Sequence, residues 1–362
     1  MAPDVLDQPR PVRAGEELDA GRLQAFLERA VTGLAGPVAI EQFPSGYSNL
    51  TYLVRAGDRE LVLRRPPIGV NIKTAHDMGR EYRILSGLIQ VYPRVPRPLV
   101  YCDDPSVLGA PFYVMERVRG VILRSALPEG VMMGPAEIRS LAEAFIDNLA
   151  DLHGIDYQAA GLGDLGRPDG YVERQIRGWT TRYQNARTDD IPSIERVAAW
   201  LEEHRPAEAP AALIHNDYKY DNIVLDPRRL SRIIAVLDWE MATIGDPLMD
   251  LGTTLGYWVD PHDPEAWVSA GLTTLTPQPG NLTRAHLVER YARHTGRDAS
   301  RVVFYYVYGL FKIAVIAQQI YMRYKRGLSQ DPRFAGLLSA VTACGEMALL
   351  AIEKNRIDHL TG

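Results

Sequence analysis

The chain has 362 residues, of which 46% are hydrophobic and 23% charged, a composition typical of a globular protein with roughly two domains or lobes. Its 40 basic and 45 acidic side chains give a formal net charge of −5, which argues against nucleic acid as the main partner. Only Cys102 and Cys344 occur, far apart in sequence. A disulfide framework or a cysteine zinc site is therefore not expected, and a reducing cytoplasm is the expected setting.

The N-terminal part of the sequence predicts a polar arm followed by a small sheet. Residues 1–15 are polar and rich in proline, which predicts a flexible arm without a signal peptide. Residues 38–63 contain β-branched and aromatic stretches broken by turn residues, which predicts three antiparallel strands. Residues 77–89 have apolar side chains at helical spacing after Asp77, which predicts a helix. Two more strand-like runs, "PRPLVYCDD" and "PFYVMERVRG", complete a predicted N-lobe over residues 16–117.

The rest of the chain, residues 118–362, predicts a mainly helical C-lobe. Helices are predicted over residues 135–153, 193–204 and from residue 284 onward, and "ALI", "NIVL" and "IIAVLDW" predict three short strands. The glycine-rich residues 161–170 predict an exposed loop before another helix. Residues 302–320 are apolar, but Lys312, Gln318 and Gln319 interrupt them, so we predict a buried core helix and no membrane association. The expected fold class is α+β.

Residues 213–226, "LIHNDYKYDNIVLD", concentrate polar side chains in one turn. If the flanking strands belong to one hairpin-like sheet, Asp217, Asn222 and the later Asp238 converge on one pocket. Asn222 and Asp238 offer the oxygen ligands that Mg²⁺ prefers. Asp217 would then orient and deprotonate a hydroxyl, and Lys219 would stabilise a phosphoryl group during transfer.

Three neighbouring residues are predicted to be structural. His215 is expected to hydrogen-bond backbone and hold the shape of the turn. Asp246 and Asp250 are expected to cap or brace the helix that begins near Pro247, because Asp before Pro is a strong helix-start signal.

"HNDYKYDN", residues 215–222, resembles the catalytic loop of the protein-kinase-like superfamily. "VLDWEMATIGDPLMDLG", residues 236–252, resembles the branch with aminoglycoside phosphotransferases and choline kinases, and above all the kinase-like domain at the N-terminus of some acyl-CoA dehydrogenases. The resemblance covers nearly the whole chain beyond the arm. It implies a two-lobed protein-kinase-like fold, with an antiparallel sheet plus one helix in the N-lobe, and it implies ATP and Mg²⁺ as cofactors.

The resemblance also implies a nucleotide site. Arg64 takes the position of the lysine that binds nucleotide phosphates, Glu81 that of its helix partner, and the backbone of Glu116 and Val118 would bind the adenine edge. An arginine at this position differs from lysine in its planar geometry. The phosphate-covering loop would lie within "PSGYSNLTY", residues 44–52, with contacts from Ser45, Gly46, Ser48 and Asn49.

We therefore predict an ATP- and Mg²⁺-dependent phosphotransferase acting on the hydroxyl of a small molecule. The resemblance favours a hydroxyacyl-CoA as acceptor and a functional link to a separate acyl-CoA dehydrogenase. Candidate residues for the phosphates of CoA or for a carboxylate of the acceptor are Arg174, Arg177, Arg323, Lys325 and Arg326. Two alternatives are an aminoglycoside-type antibiotic kinase, which would need a carboxylate-lined pocket, and a non-catalytic nucleotide-binding protein that serves a partner as a scaffold.

Overall fold

The N-lobe is built on a five-stranded antiparallel sheet. This computed structural model describes residues 7–44, 49–67, 77–124, 127–128, 130–268, 275–329 and 331–360. The strands are β1 (Val38–Gln42), β2 (Leu50–Ala56), β3 (Arg59–Arg65), β4 (Pro98–Cys102) and β5 (Phe112–Glu116), in the order β1-β2-β3-β5-β4. The three antiparallel strands predicted within residues 38–63 are confirmed.

Helices cover both faces of this sheet, because its strands alternate buried apolar side chains between two cores. Tyr52 and Val54 of β2 pack in a core with helix α1 (Ala20–Ala30), whereas Leu53 belongs to the larger core that includes helix α2 (Met78–Leu88). Asp77 caps α2, as predicted, by accepting a hydrogen bond from a backbone N–H of the first turn. Only one N-lobe helix was predicted, the one that corresponds to α2. That prediction was wrong in number, because the lobe also contains α1 and a four-residue helix, α3 (Pro105–Leu108).

The described part of the N-terminal arm is attached to this lobe. The backbone of Arg10 pairs with that of Gln42 through two hydrogen bonds of 2.8 Å, so it extends the sheet beside β1. The carbonyl of Asp7 also accepts a hydrogen bond of 2.7 Å from Arg117. From residue 7 onward the arm that was predicted to be flexible thus has defined partners.

The C-lobe is mainly helical. Its helices are α4 (Pro135–His153), α5 (Tyr171–Ala186), α6 (Pro192–Glu203), α7 (Pro247–Gly256), α8 (Glu265–Val268), α9 (Arg284–Thr295), α10 (Val302–Lys325) and α11 (Leu337–Lys354). Glycines let α7 and α10 approach closely, because a Cβ at Gly252 would lie 2.0 Å from the carbonyl oxygen of Tyr305. The helices predicted over residues 135–153 and 193–204 are confirmed to within one residue at each end.

Two small antiparallel sheets lie where the C-lobe meets the N-lobe. Strands β7 (Ile223–Asp226) and β8 (Arg229–Val236) form the predicted hairpin. Strand β6 (Ala212–Ile214) pairs instead with β9 (Thr243–Gly245), a strand that the sequence analysis did not predict. This second pairing holds the segment before residue 215 against the segment that leads into α7.

Two helical segments, Val302–Lys325 and Pro332–Lys354, are long and apolar enough to cross a membrane by length and composition alone. In the first segment, 78% of an apolar 18-residue stretch is buried inside the protein, and in the second segment 44%. The buried aromatic side chains of α10 include Phe304, Tyr305 and Phe311. The first segment is therefore a core helix, as predicted.

Candidate active site

The β7–β8 hairpin brings the predicted metal ligands together. Ile223 pairs with Val236, and the next residue, Leu237, donates its N–H to the carbonyl of Asn222 at 2.8 Å. Asp238 follows directly, so Asn222 and Asp238 lie side by side at the open end of the hairpin. The amide nitrogen of Asn222 also donates to a carboxylate oxygen of Asp217 at 2.8 Å. The three residues predicted to converge are thus together in the structure.

Two site residues have left-handed backbone conformations. Asn216 and Asp238 both have φ of 66°, a region that most side chains avoid and that asparagine and aspartate tolerate best. The buried ammonium of Lys312 donates to the carbonyl of Asn216 at 2.6 Å and fixes that turn from behind. Such backbone strain persists only where the surrounding structure holds it, and it commonly marks functional sites.

Asp250 braces the 215–222 loop. It is fully buried, and its carboxylate accepts the backbone N–H of His215 at 2.7 Å and that of Asn216 at 2.8 Å. The imidazole Nε2 of His153 lies 3.1 Å from the same carboxylate. Burial raises the pKa of Asp250, but these donors outweigh it, so the pKa is lowered and the group is held as a carboxylate. Asp250 was predicted to cap or brace α7, but its carboxylate bonds instead to the 215–222 loop and His153, while Asp246 caps α7 as predicted.

His215 holds the loop from inside, as predicted. Its Nε2 lies 2.9 Å from the carbonyl oxygen of Leu237, and its Nδ1 accepts the backbone N–H of Asp217 at 3.2 Å. The imidazole therefore donates from Nε2 and accepts at Nδ1. With both ring nitrogens engaged by backbone, His215 ties the loop to the end of β8.

Arg64 joins the two lobes through two carboxylates. Its guanidinium contacts Glu81 at 2.9 Å, the predicted pair, and Asp238 at 2.9 Å, a contact that was not predicted. Burial lowers the pKa of Arg64, but the two carboxylates raise it well above its usual range. For Asp238 burial acts in the other direction and raises the pKa, but the positive charge of Arg64 outweighs burial, so the pKa of Asp238 is lowered overall. Asp238 is thus kept ionised, the state in which a carboxylate binds a cation.

Lys219 lies against Asp217 rather than free in the cleft. Its ammonium is 3.1 Å from the carboxylate of Asp217 and 4.7 Å from the ring centroid of Tyr257. Burial disfavours the charge, but Tyr257 together with the carboxylates of Asp217 and Asp221 raises the pKa of Lys219 overall. The lysine therefore remains a cation that orients Asp217.

A cavity of 440 Å³ between the lobes is lined by the described residues that were predicted to be catalytic or to bind the nucleotide. Its apolar walls include Val62 and Met115, and the predicted residues that line it are Asn49, Arg64, Glu81, Glu116, Val118, Asp217, Lys219, Asn222 and Asp238. The amide of Asn49 donates to Glu240 at 2.5 Å. Ser45, Gly46 and Ser48 of the predicted phosphate-covering loop lie outside the described residues.

The site's donors fit a magnesium ion carried by a nucleotide. Within the described ranges no group of three or more His, Cys, Asp or Glu side chains could hold a metal alone. Asp238 supplies one carboxylate, and Asn222 supplies its amide oxygen because its nitrogen already donates to Asp217. Mg²⁺ typically takes one or two protein ligands and completes its shell with phosphate oxygens and water.

Arg80, which was not among the predicted residues, ties the lobes together. Its guanidinium donates to the carbonyls of Glu240 at 3.1 Å and Ala242 at 2.5 Å, so it connects α2 to the segment after Asp238. No local pattern distinguishes Arg80 from an ordinary helix-surface arginine. Only the meeting of two distant segments reveals it.

Two of the five predicted acceptor-binding cations pair with carboxylates elsewhere. Arg177 pairs with Glu173 at 2.6 Å, and Lys325 pairs with Asp189 at 2.8 Å. Arg323 and Arg326 are exposed near the end of α10. Of the five, only Arg174 lines the cavity that lies between α5 and α10, next to Asn216 of the 215–222 loop.

Comparison with known proteins shows relatives along most of the chain. Acyl-CoA dehydrogenase family member 11 of Gallus gallus is 36% identical over 324 residues, which cover 87% of this chain and 41% of that protein. Acyl-CoA dehydrogenase family member 10 of Mus musculus is 33% identical over 319 residues, covering 87% of this chain and 29% of that protein. The chain therefore spans less than half the length of these relatives.

Solved structures share the fold. A putative aminoglycoside phosphotransferase of Ralstonia eutropha is similar with a TM-score of 0.78 and 32% identity, covering 93% of this chain and 99% of the other. Choline kinase of Cryptosporidium parvum has a TM-score of 0.64 at 13% identity, covering 94% and 98% of the two chains, and supports the fold alone. These likenesses confirm the predicted two-lobed kinase-like fold. Because the model of the phosphotransferase enzyme family also matches residues 39–296, most of the chain, the protein belongs to that family.

Proposed function

We propose that this protein is an ATP- and Mg²⁺-dependent phosphotransferase that acts on a hydroxyl group of a small molecule. One observation carries the proposal: Asp217, Asn222 and Asp238 of the C-lobe share one cleft with Arg64 of the N-lobe, which is buried and pairs with Glu81 of the same lobe. This set supplies a proton acceptor, two oxygen ligands for a metal and a cation for phosphate, the groups that phosphoryl transfer requires.

Asp217 takes the proton of the attacking hydroxyl. As the hydroxyl oxygen bonds to the γ-phosphorus, the bond to the bridging β,γ-oxygen breaks, and ADP leaves. The amide of Asn222 at 2.8 Å and the ammonium of Lys219 at 3.1 Å hold the carboxylate of Asp217 in position. Arg64 binds nucleotide phosphate oxygens, while Asn222 and Asp238 would hold Mg²⁺, which neutralises phosphate charge when bound.

For the acceptor we propose a hydroxyacyl-CoA, and with it a functional link to an acyl-CoA dehydrogenase. The support is the similarity to two long relatives that carry the acyl-CoA dehydrogenase name. An aminoglycoside would be a polycation and would need carboxylates around it. Among the described residues that line the cavity behind the 215–222 loop, the charged ones are all arginine or lysine, which favours an anionic acceptor.

The test is a phosphoryl-transfer assay with Mg²⁺-ATP against hydroxyacyl-CoAs, aminoglycosides and small amino alcohols. Asp217→Asn keeps the shape of the side chain but cannot accept the proton, so we expect the turnover rate to fall about 10²- to 10⁴-fold with nucleotide affinity retained. Asp226→Asn is the matched control, because its carboxylate contacts Arg228 and Arg232 and does not line the cleft. Equal turnover by Asp217→Asn and the wild type would contradict the proposal.

A further inference from the structure

A second cavity of 440 Å³ lies behind the 215–222 loop, between α5 and α10. Asn216, the residue before Asp217, lines it, and Met241 lines both this cavity and the interlobe cleft. A ligand in this cavity would therefore lie next to the segment that positions Asp217.

The charged side chains that line this cavity within the described part of the chain are all cationic: Arg167, Arg174, Arg182 and Lys312. None of these four forms an ion pair with a carboxylate of the chain's described ranges, although Arg182 stacks over Trp179 with its guanidinium carbon 4.6 Å from the ring centroid. The larger groove of 580 Å³ between α5 and α6 differs in this respect. There Arg177 pairs with Glu173 at 2.6 Å and Arg187 with Glu195 at 2.9 Å.

Lys312 sets the floor of the cavity. Its residue is 1% exposed, and its ammonium donates to the carbonyl of Asn216 at 2.6 Å. Burial lowers the pKa of Lys312 to about 8, although the more distant carboxylates of Asp250 and Asp217 act in the opposite direction. A buried cation without a directly bound anion is costly, so an anion entering the cavity would bind favourably.

The arginines around the opening suit a phosphate group. Arg174 is anchored by hydrogen bonds to the carbonyls of Arg167 and Asp169, which fixes its guanidinium near the opening. Planar guanidinium groups match phosphate oxygens in pairs, and four cations exceed what a single carboxylate would neutralise.

We propose that this basic cavity binds a phosphate group of the acceptor, so that the acceptor's hydroxyl reaches Asp217 from the side of Met241. The inference rests on the proposed phosphotransferase function for the identity of the ligand. Binding of a phosphate anion itself follows from the cavity alone.

The binding test uses calorimetric titration of pyrophosphate into protein saturated with ADP without metal, which fills the nucleotide cleft. The variant is the double substitution Arg167→Gln and Arg182→Gln, since both residues are exposed. The control, Arg139→Gln with Arg293→Gln, removes the same charge from exposed arginines on α4 and α9 that lie outside the cavity. We expect wild type and control to bind pyrophosphate and the cavity variant to bind at least tenfold more weakly. Absence of binding to the wild type, or equal binding by both variants, would overturn the inference.

The acceptor test compares a hydroxyacyl-CoA with the corresponding hydroxyacyl-pantetheine, which has no phosphate. The cavity variant should raise KM for the CoA ester at least tenfold and leave KM for the pantetheine ester within twofold. If pyrophosphate binding is lost but both KM values are unchanged, the cavity binds a free anion and the assignment to the acceptor is wrong. If neither ester is phosphorylated and Asp217→Asn leaves turnover of every other acceptor unchanged, the proposed function fails. The pyrophosphate titration still decides whether the cavity binds phosphate.

Discussion

Replacing Asp250 by asparagine tests whether α7 holds the 215–222 loop in place. The carboxylate is fully buried and accepts hydrogen bonds from the backbone of His215 at 2.7 Å and of Asn216 at 2.8 Å, with the imidazole of His153 at 3.1 Å. An asparagine has one oxygen, so at least one buried donor would face an NH₂ group. An unpaired buried donor costs about 1–3 kcal/mol, and the remaining bonds lose their charge assistance, so we expect Asp250→Asn to destabilise the protein by roughly 2–4 kcal/mol.

Asp246→Asn is the matched control on the same helix. Its carboxylate accepts the N–H of Leu248 at 2.8 Å and the hydroxyl of Tyr305 at 3.2 Å. Asparagine caps helices as well as aspartate does, and the tyrosine hydroxyl can accept as well as donate, so we expect a loss below about 1 kcal/mol. Burial raises the pKa of Asp246, whereas the donors around Asp250 lower its pKa.

The assay is urea unfolding followed by circular dichroism at pH 7 and at pH 4. Because the pKa of Asp250 is lowered on folding, its contribution is fully present above the ordinary aspartate pKa of about 3.9 and is lost as pH falls through the folded value. The difference in unfolding free energy between wild type and Asp250→Asn should therefore be nearly equal at pH 7 and pH 4 and become smaller only below about pH 3.9. Equal losses for Asp250→Asn and Asp246→Asn at pH 7 would refute the bracing role.

Three further predictions follow from the packing and the charges. Arg64→Lys should raise KM for ATP about tenfold and destabilise the lobe junction, since an ammonium cannot span two carboxylates that each lie 2.9 Å from the guanidinium; an unchanged KM in steady-state kinetics would contradict this. Gly252→Ala should cost at least about 2 kcal/mol in urea unfolding because its Cβ would lie 2.0 Å from the carbonyl oxygen of Tyr305, whereas Gly336→Ala, which meets no atom within 4 Å, should be within about 0.5 kcal/mol of wild type. The pKa of Lys312 falls to about 8 on folding, so between that pH and about 10.4 the unfolded chain binds more protons than the folded protein. In urea titrations from pH 8 to 9.5, the stability of the wild type relative to Lys312→Met should therefore rise by up to about 1.4 kcal/mol per pH unit. Parallel stability profiles for the two proteins would exclude the pKa shift.

Local sequence patterns determined most of the elements and the centre of the site. Helix α4 has the predicted bounds because its apolar periodicity and its first-turn proline are local signals. The β7–β8 hairpin is also local, and its pairing placed Asn222 next to Asp238 as predicted. Asp217 joined them because it is five residues from Asn222 in one tight turn, a spacing that the chain alone fixes.

Tertiary structure decided the contacts between residues far apart in sequence. The bond from Arg64 to Asp238 spans 174 positions, and the bonds from Arg80 to the segment after Asp238 span 160 and 162 positions. No periodicity in the sequence predicts contacts at such separations. The cavity lined by Arg182 and Lys312 likewise forms only when α10 packs against α5. Helix and strand patterns depend on neighbours a few residues away, whereas these contacts depend on how whole elements pack. The sequence by itself thus predicted the polar groups that meet in the interlobe cleft, and the packing decided which of them are paired and which cations line the second cavity.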